Sequence, residues 1–165
     1  MERGGLIGRV EMIFAYLGKS FRETFPGRAS EWALGAMLFN WGAILVLKPD
    51  IFSMQPYYTP MAELMRQSAW GLLCIGVGGS RLMVLFVNGF WRRSPHLRSL
   101  MAFLASLVWF EVTVGLLQSG LINTGLAVYP VLFGLDVFNA IRAMGDAGRS
   151  DALHKPVVNG NGSDA

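Results

Sequence analysis

"GVGGSRLMVLFVNGFWRR", residues 76–93, is apolar enough to cross a bilayer, yet it carries an arginine in its middle. The run ends at Trp91, a residue type typical of membrane interfaces, followed by two further arginines. At a rise of ~1.5 Å per residue, Arg81 lies about 15 Å inward from Trp91, near the bilayer centre. An unpaired arginine there costs at least ~2.5–3.5 kcal/mol. We therefore expect an anion on a neighbouring helix.

The composition of the whole chain is that of a multi-pass membrane protein. Hydrophobic residues make up 53% of the 165 residues and charged residues only 15%, against about 25% charged in soluble domains. Charges crowd the N-terminal region, the stretch 92–98 and the tail after 141, with long apolar runs between them. The net charge of +3 therefore comes from basic residues that flank apolar segments, which indicates topology rather than a nucleic-acid partner.

Four apolar segments predict an all-α membrane domain over residues 30–144, a bundle of four transmembrane helices. The predicted spans are about 31–47, 69–91, 99–118 and 122–141. Residues 1–29 place apolar side chains at helical spacing with charges between them, which predicts an amphipathic N-terminal helix and turn. This helix lies in the headgroup layer or packs on the protein itself. Residues 145–165 are polar and Gly-rich, which predicts a disordered tail.

Lysine and arginine residues near the span ends predict the orientation. They are frequent before the first span, between the second and third spans, and just after the fourth. The other two links together hold only Lys48 and Arg66. By the positive-inside rule, we expect both termini to lie in the cytoplasm.

Polar residues within the spans predict how the helices are held together. Glu111 lies about 18 Å into the third span, at a depth that matches Arg81. Consecutive spans joined by a short link are antiparallel neighbours, so we predict an ion pair between Arg81 and Glu111. Each span carries a polar residue in its inner or middle part. The predicted intramembrane polar cluster comprises Arg81, Glu111, Asp136, Asn40 and Asn139.

The sides of the helices that carry these residues are also rich in small residues, which is expected of a side that faces protein rather than lipid. Three such sides are predicted: Cys74, Gly78, Arg81 and Asn88 on the second span, Glu111, Gly115 and Gln118 on the third, and Ala33, Ala36, Asn40 and Ala43 on the first. Gly76 and Ser80 form a small-x-x-x-small pair, and with Gly78 they are predicted to permit close helix packing.

The polar cluster has two open interpretations. It either specifies one arrangement of the helices, or it forms a polar path for protons, ions or a small solute, including a wet lumen made by several copies. The chain has no motif for a nucleophile, a zinc protease or a phosphate-binding loop, and its Cys and His spacing predicts no metal site. We therefore predict no enzyme activity, no cofactor and no identifiable small-molecule substrate.

Two strings resemble small inner-membrane proteins encoded by bacteriophages and prophages, including holin-like ones. They are "RLMVLFVNGFWRRSPHLRSLMAF", residues 81–103, and "TGLAVYPVLFGLDVFNAIRA", residues 124–143. The resemblance implies a protein that self-associates in the lipid bilayer, as a homo-oligomer, and permeabilises it. Four spans are more than well-known holins have, so other roles stay open. These are a non-lytic accessory, for superinfection exclusion, as a transporter subunit or as a scaffold, and a small ion or proton carrier.

Overall fold

The computed structural model describes residues 28–90 and 95–154, so the predicted amphipathic segment lies outside the described residues except for its last two positions. The described ranges contain helices and no strand. The elements are α1 (Arg28–Leu47), α2 (Ile51–Met54), a 3-10 turn (Pro56–Tyr58), α3 (Thr59–Leu64), α4 (Gln67–Phe90), α5 (Pro95–Gln118) and α6 (Gly125–His154). Helices α1, α4, α5 and α6 are long and apolar enough to cross a membrane. The prediction of four apolar helices in an all-α chain is therefore confirmed.

The last helix is longer than the sequence predicts. Helix α6 continues to His154, so the predicted disordered tail is wrong for residues 145–154, and residues 155–165 lie outside the described residues. Ala143 and Ala147 are buried in this extension. The carboxylate of Asp146 also accepts a hydrogen bond from Arg98 of α5 at 3.5 Å. Packing on α5 thus stabilises a segment whose composition alone favours disorder.

The segment between α1 and α4 is a compact set of short helical turns. Pro60 lies in the first turn of α3. Met65 has extended backbone (φ −158, ψ 146), so α3 and α4 are separate helices. Gln67 joins this segment to α1. Its side chain accepts a hydrogen bond from the Phe52 amide at 2.8 Å and donates to the carbonyls of Leu45 and Lys48 at 2.7 and 2.5 Å.

Helices α1 and α4 approach each other closely at glycines. A Cβ atom at Gly78 would lie 2.6 Å from the backbone nitrogen of Phe39, and one at Gly42 would lie 2.6 Å from the carbonyl oxygen of Gly71. Gly78 thus lies at a helix contact, as predicted. A Cβ at Gly76 would meet nothing within 4 Å, and Ser80 is exposed. The predicted Gly76–Ser80 packing pair therefore lies on the outer surface, because α4 turns its Gly71 and Gly78 side to α1.

Helix α5 is the most enclosed of the four. Half of its apolar window is buried, against 28–33% for the other three helices. Near the end that carries the short turns, the rings of Trp41, Trp109 and Tyr129 pack together, with centroids 5.9 Å apart between the tryptophans and 5.6 Å apart between Trp109 and Tyr129. We call this the aromatic layer. Beyond it, toward the end of the bundle where α5 begins, the interior is polar.

Candidate functional site

The first part of the polar interior is an ion pair between α4 and α6. Nη1 of Arg81 donates to Oδ1 of Asp136 at 2.5 Å, and the two side chains are 3% and 0% exposed. Arg81 lies on the side of α4 that faces the bundle, where Cys74, Gly78 and Asn88 are also buried. The sequence therefore predicted the correct side of α4 and the need for an anion.

The predicted partner of Arg81 is wrong, because Glu111 is exposed. Each residue of an α-helix is rotated by about 100° from the last. Glu111 stands opposite the buried stripe of α5, which includes Ala105, Trp109, Val112 and Leu116. Burying that stripe removes far more apolar surface from solvent than the side of Glu111 could. Counting residues from the span ends places Glu111 and Arg81 at similar depth in the bilayer. It does not determine which side of α5 faces the bundle.

The second part of the interior is a charge cluster that joins α1, α5 and α6. Arg98 donates from Nε to Oε2 of Glu31 at 3.1 Å and from Nη2 to Oε1 at 2.5 Å, in the bidentate geometry typical of strong Arg–carboxylate pairs. Its Nη1 donates to Oδ2 of Asp146 at 3.5 Å. Glu31 and Arg98 are 2% and 5% exposed.

Sequence reasoning missed this charge cluster. Charges at span ends ordinarily reach water. From sequence, Arg98 therefore indicates only the orientation of the chain, and Glu31 only the start of a span. The sequence did contain a signal for this pair. Glu31 and Arg98 lie at the starts of two spans, and the predicted topology places both starts at the same membrane face. Opposite charges at one level of a bundle are candidates for an ion pair.

Asn139 takes part in a further polar contact, between α1 and α6. The hydroxyl of Ser30 donates to Oδ1 of Asn139 at 3.1 Å, joining α1 to α6, and Asn139 is 1% exposed. It lies one turn after Asp136 on the buried side of α6. These three groups of bonded side chains lie in the same half of the bundle, and we call them together the polar column. Its members are Ser30, Glu31, Arg81, Arg98, Asp136, Asn139 and Asp146.

Several buried polar atoms at the junction of the polar column and the aromatic layer have no hydrogen-bond partner. They are Nη2 of Arg81, Oδ2 of Asp136, Nδ2 of Asn139 and Nε1 of Trp109. A buried polar atom without a partner costs about 1–3 kcal/mol. Buried donors and acceptors of this kind are groups that a buried water molecule is able to bridge. Within the described ranges, no group of His, Cys, Asp and Glu is arranged to hold a metal ion.

On the other side of the aromatic layer lies a hollow of about 230 Å³, lined in part by Tyr57, Asn123, Thr124 and Tyr129. Burial raises the pKa of the Tyr58 phenol, which also lines it, and neighbouring Tyr129 raises it further. The aromatic layer separates this hollow from the polar column.

The structure divides the predicted cluster into two groups. Arg81, Asp136 and Asn139 are buried within one chain, whereas Asn40 and Glu111 are exposed on the outer surface. Asn40 stands opposite the buried side of α1, which includes Leu34 and Leu38. The small side predicted for the first span thus points out of the bundle. The side predicted for the third span is divided: Glu111 and Gln118 are exposed, whereas Gly115 is buried, and a Cβ there would lie 2.5 Å from Cγ of Met61.

Comparisons with protein-family models, curated proteins and solved structures found no match to this chain.

Proposed function

We propose that this chain is an integral protein of a bacterial inner membrane that associates with further copies of itself and permeabilises the membrane as holins do. Four helices able to cross a membrane support the placement. The basic residues that precede α1, link α4 to α5 and follow the apolar part of α6 support cytoplasmic termini. The resemblance of residues 81–103 and 124–143 to phage-encoded membrane proteins supports the permeabilising role.

The outward position of Glu111 carries the self-association part of this proposal. The side chain lies within α5, seven residues before its last residue, Gln118, which is about 10 Å along the helix axis. Hydrocarbon offers no hydrogen bond there, and a charged side chain in the bilayer costs several kcal/mol. Contact with another protein surface removes that cost, so the single bundle behaves as a subunit of an assembly.

The polar column has a structural role in this proposal. Its ion pairs connect α4 to α6 and α5 to both α1 and α6, and the hydrogen bond between Ser30 and Asn139 connects α1 to α6. These contacts specify one arrangement of the helices, and they leave the charges of the polar column unavailable to line a lumen between copies.

Controlled induction in a bacterium tests permeabilisation. We expect the membrane potential, followed with a potential-sensitive dye, to collapse after the protein accumulates. Glu111→Leu should delay the collapse, because it removes the outward polar group. Met83→Ala, a change of an exposed apolar residue on the outer side of α4, is the matched control. A steady potential in cells whose membranes contain the inserted protein would contradict the proposal.

A second candidate, a small proton carrier, is favoured by the unpartnered atoms around Asp136. Purified protein in liposomes should then conduct protons down an imposed gradient, and Asp136→Asn should abolish the flux. A third candidate, a non-lytic accessory, is favoured by the same outward Glu111, if another membrane protein covers it. Purification of one stoichiometric partner from cells that keep a normal potential would support that role.

A further inference from the structure

We propose that the contact between copies joins the outer side of α5 in one copy to the outer side of α1 in the next, with Glu111 accepting a hydrogen bond from the side-chain amide of Asn40. This inference rests on the proposed self-association and names its interface. Both residues are exposed, and each belongs to a helix able to cross a membrane.

Asn40 and Glu111 lie at nearly the same depth. The rings of Trp41 and Trp109 contact each other, with centroids 5.9 Å apart, which places these two residues at a common level of the bundle. Asn40 precedes Trp41 by one residue and Glu111 follows Trp109 by two. Because α1 and α5 run in the same direction, the two positions differ by about 4–5 Å along the axis. The side chains can span that difference.

Copies inserted in one membrane share the same orientation, so a depth match within one chain holds between two chains. The two residues cannot meet within one chain. Asn40 stands opposite the buried side of α1, and Glu111 stands opposite the buried side of α5. A neighbouring copy is therefore the nearest source of a matching polar group. Glutamate accepts and the asparagine amide donates, so one contact satisfies both.

The two outer sides also fit each other in size. Ala36 precedes Trp41 by five residues and Phe103 precedes Trp109 by six, so an exposed alanine and an exposed phenylalanine lie at similar depth. Ala33 continues the small side of α1 toward the same end. Small side chains on one helix leave room for large ones on the other and let the helices approach.

This contact uses different surfaces on the two partners. Such a heterologous contact repeats from copy to copy, and it closes into a ring when the rotation between copies allows. A ring around an axis normal to the membrane encloses a lumen, which is the assembly that permeabilisation requires.

Cysteine crosslinking in isolated membranes tests the interface. In a background with Cys74→Ala, the pair Ala36→Cys with Phe103→Cys keeps both Asn40 and Glu111. With a short bis-maleimide, this variant should give dimers, trimers and higher species. Each single-cysteine variant should stay monomeric, because position 36 meets position 103 and not itself. Ala36→Cys with Met83→Cys, on the outer side of α4, is the control and should also stay monomeric.

Two results would overturn the interface. Dimers from Phe103→Cys alone would show that α5 packs on α5, and monomers from every variant would show that these sides do not meet. Membrane potential measured in the same cells separates this inference from the proposed function. Higher species in cells with a normal potential support the interface and contradict permeabilisation. A collapsed potential without crosslinked species supports permeabilisation and overturns the interface.

Discussion

Arg81 and Asp136 lie 55 positions apart in the sequence and meet inside the bundle, with Nη1 of the guanidinium 2.5 Å from Oδ1 of the carboxylate. Neither side chain is more than 3% exposed. A cation that costs several kcal/mol alone in a bilayer is thereby paired within its own chain. Because the pair joins α4 to α6, it also helps to select one arrangement of the helices.

Substituting Gly78 with alanine should destabilise the bundle. The added Cβ would lie 2.6 Å from the backbone nitrogen of Phe39, and a helix backbone cannot yield without separating α1 from α4. We expect a loss of about 1–3 kcal/mol, as for other overpacked sites, measured by unfolding in mixed detergent. Gly76→Ala is the control, since its Cβ would meet nothing within 4 Å. Equal losses for the two variants would show that α1 and α4 do not meet at Gly78.

Gln67 should hold the segment between α1 and α4 in place. Gln67→Glu removes both amide donors and leaves the carbonyls of Leu45 and Lys48 without this partner. Each buried carbonyl left unpaired lowers the free energy of unfolding by about 1–3 kcal/mol. The purified variant in detergent should be cut by protease in residues 49–58 sooner than the parent protein. Ser68→Ala, an exposed neighbour, should not change the cleavage. Identical cleavage of all three proteins would rule out this role for Gln67.

Lysine should not replace Arg98. The bidentate bond to Glu31 and the further bond to Asp146 require three nitrogens in a planar fork, which an ammonium group cannot reproduce. Loss of one charge-assisted bond corresponds to about 1.5–3 kcal/mol of unfolding free energy. Arg142→Lys, at an exposed position of α6, is the matched control and should leave stability unchanged. Full stability of Arg98→Lys would contradict the bidentate geometry.

Cysteine labelling should establish the orientation. Ile122 is 98% exposed in the link between α5 and α6, whereas Cys74 is fully buried. With cytoplasmic termini, Ile122→Cys should react with a membrane-impermeant maleimide added to intact cells, and the parent protein should not. A reporter that is active only outside the cytoplasm should stay inactive when fused after Ala165. Activity of that fusion would reverse the proposed orientation.

The sequence was sufficient to predict four apolar helices, the bundle-facing side of α4 and the presence of an anion near Arg81. It was not sufficient to identify Asp136 as that anion. Height along a helix follows from counting residues, but the side that α5 turns inward depends on the summed burial of residues such as Trp109 and Leu116. That sum is a property of the packed bundle and not of any one segment.

The extension of α6 to His154 could not be predicted from sequence for a related reason. Residues 145–154 are polar and Gly-rich, so local composition favours disorder. The packing of this helix becomes visible in the burial of Ala147 and in the contact of Asp146 with Arg98. The ion pairs of Arg98 are also not evident from sequence, because its partners Glu31 and Asp146 lie on other helices, far away along the chain.

Two double-mutant cycles test whether Arg81 pairs with Asp136 and not with Glu111. The unfolding free energy in mixed detergent is measured for the single variants Arg81→Leu, Asp136→Leu and Glu111→Leu. It is also measured for the two double variants that combine Arg81→Leu with each of the others. Removing one partner of a buried ion pair costs about 3–5 kcal/mol because a charge is left unpaired. We expect Arg81→Leu with Asp136→Leu to cost far less than the sum of the single changes, and Arg81→Leu with Glu111→Leu to be additive within about 0.5 kcal/mol. Additivity for Arg81 and Asp136, together with coupling between Arg81 and Glu111, would contradict this arrangement of the bundle.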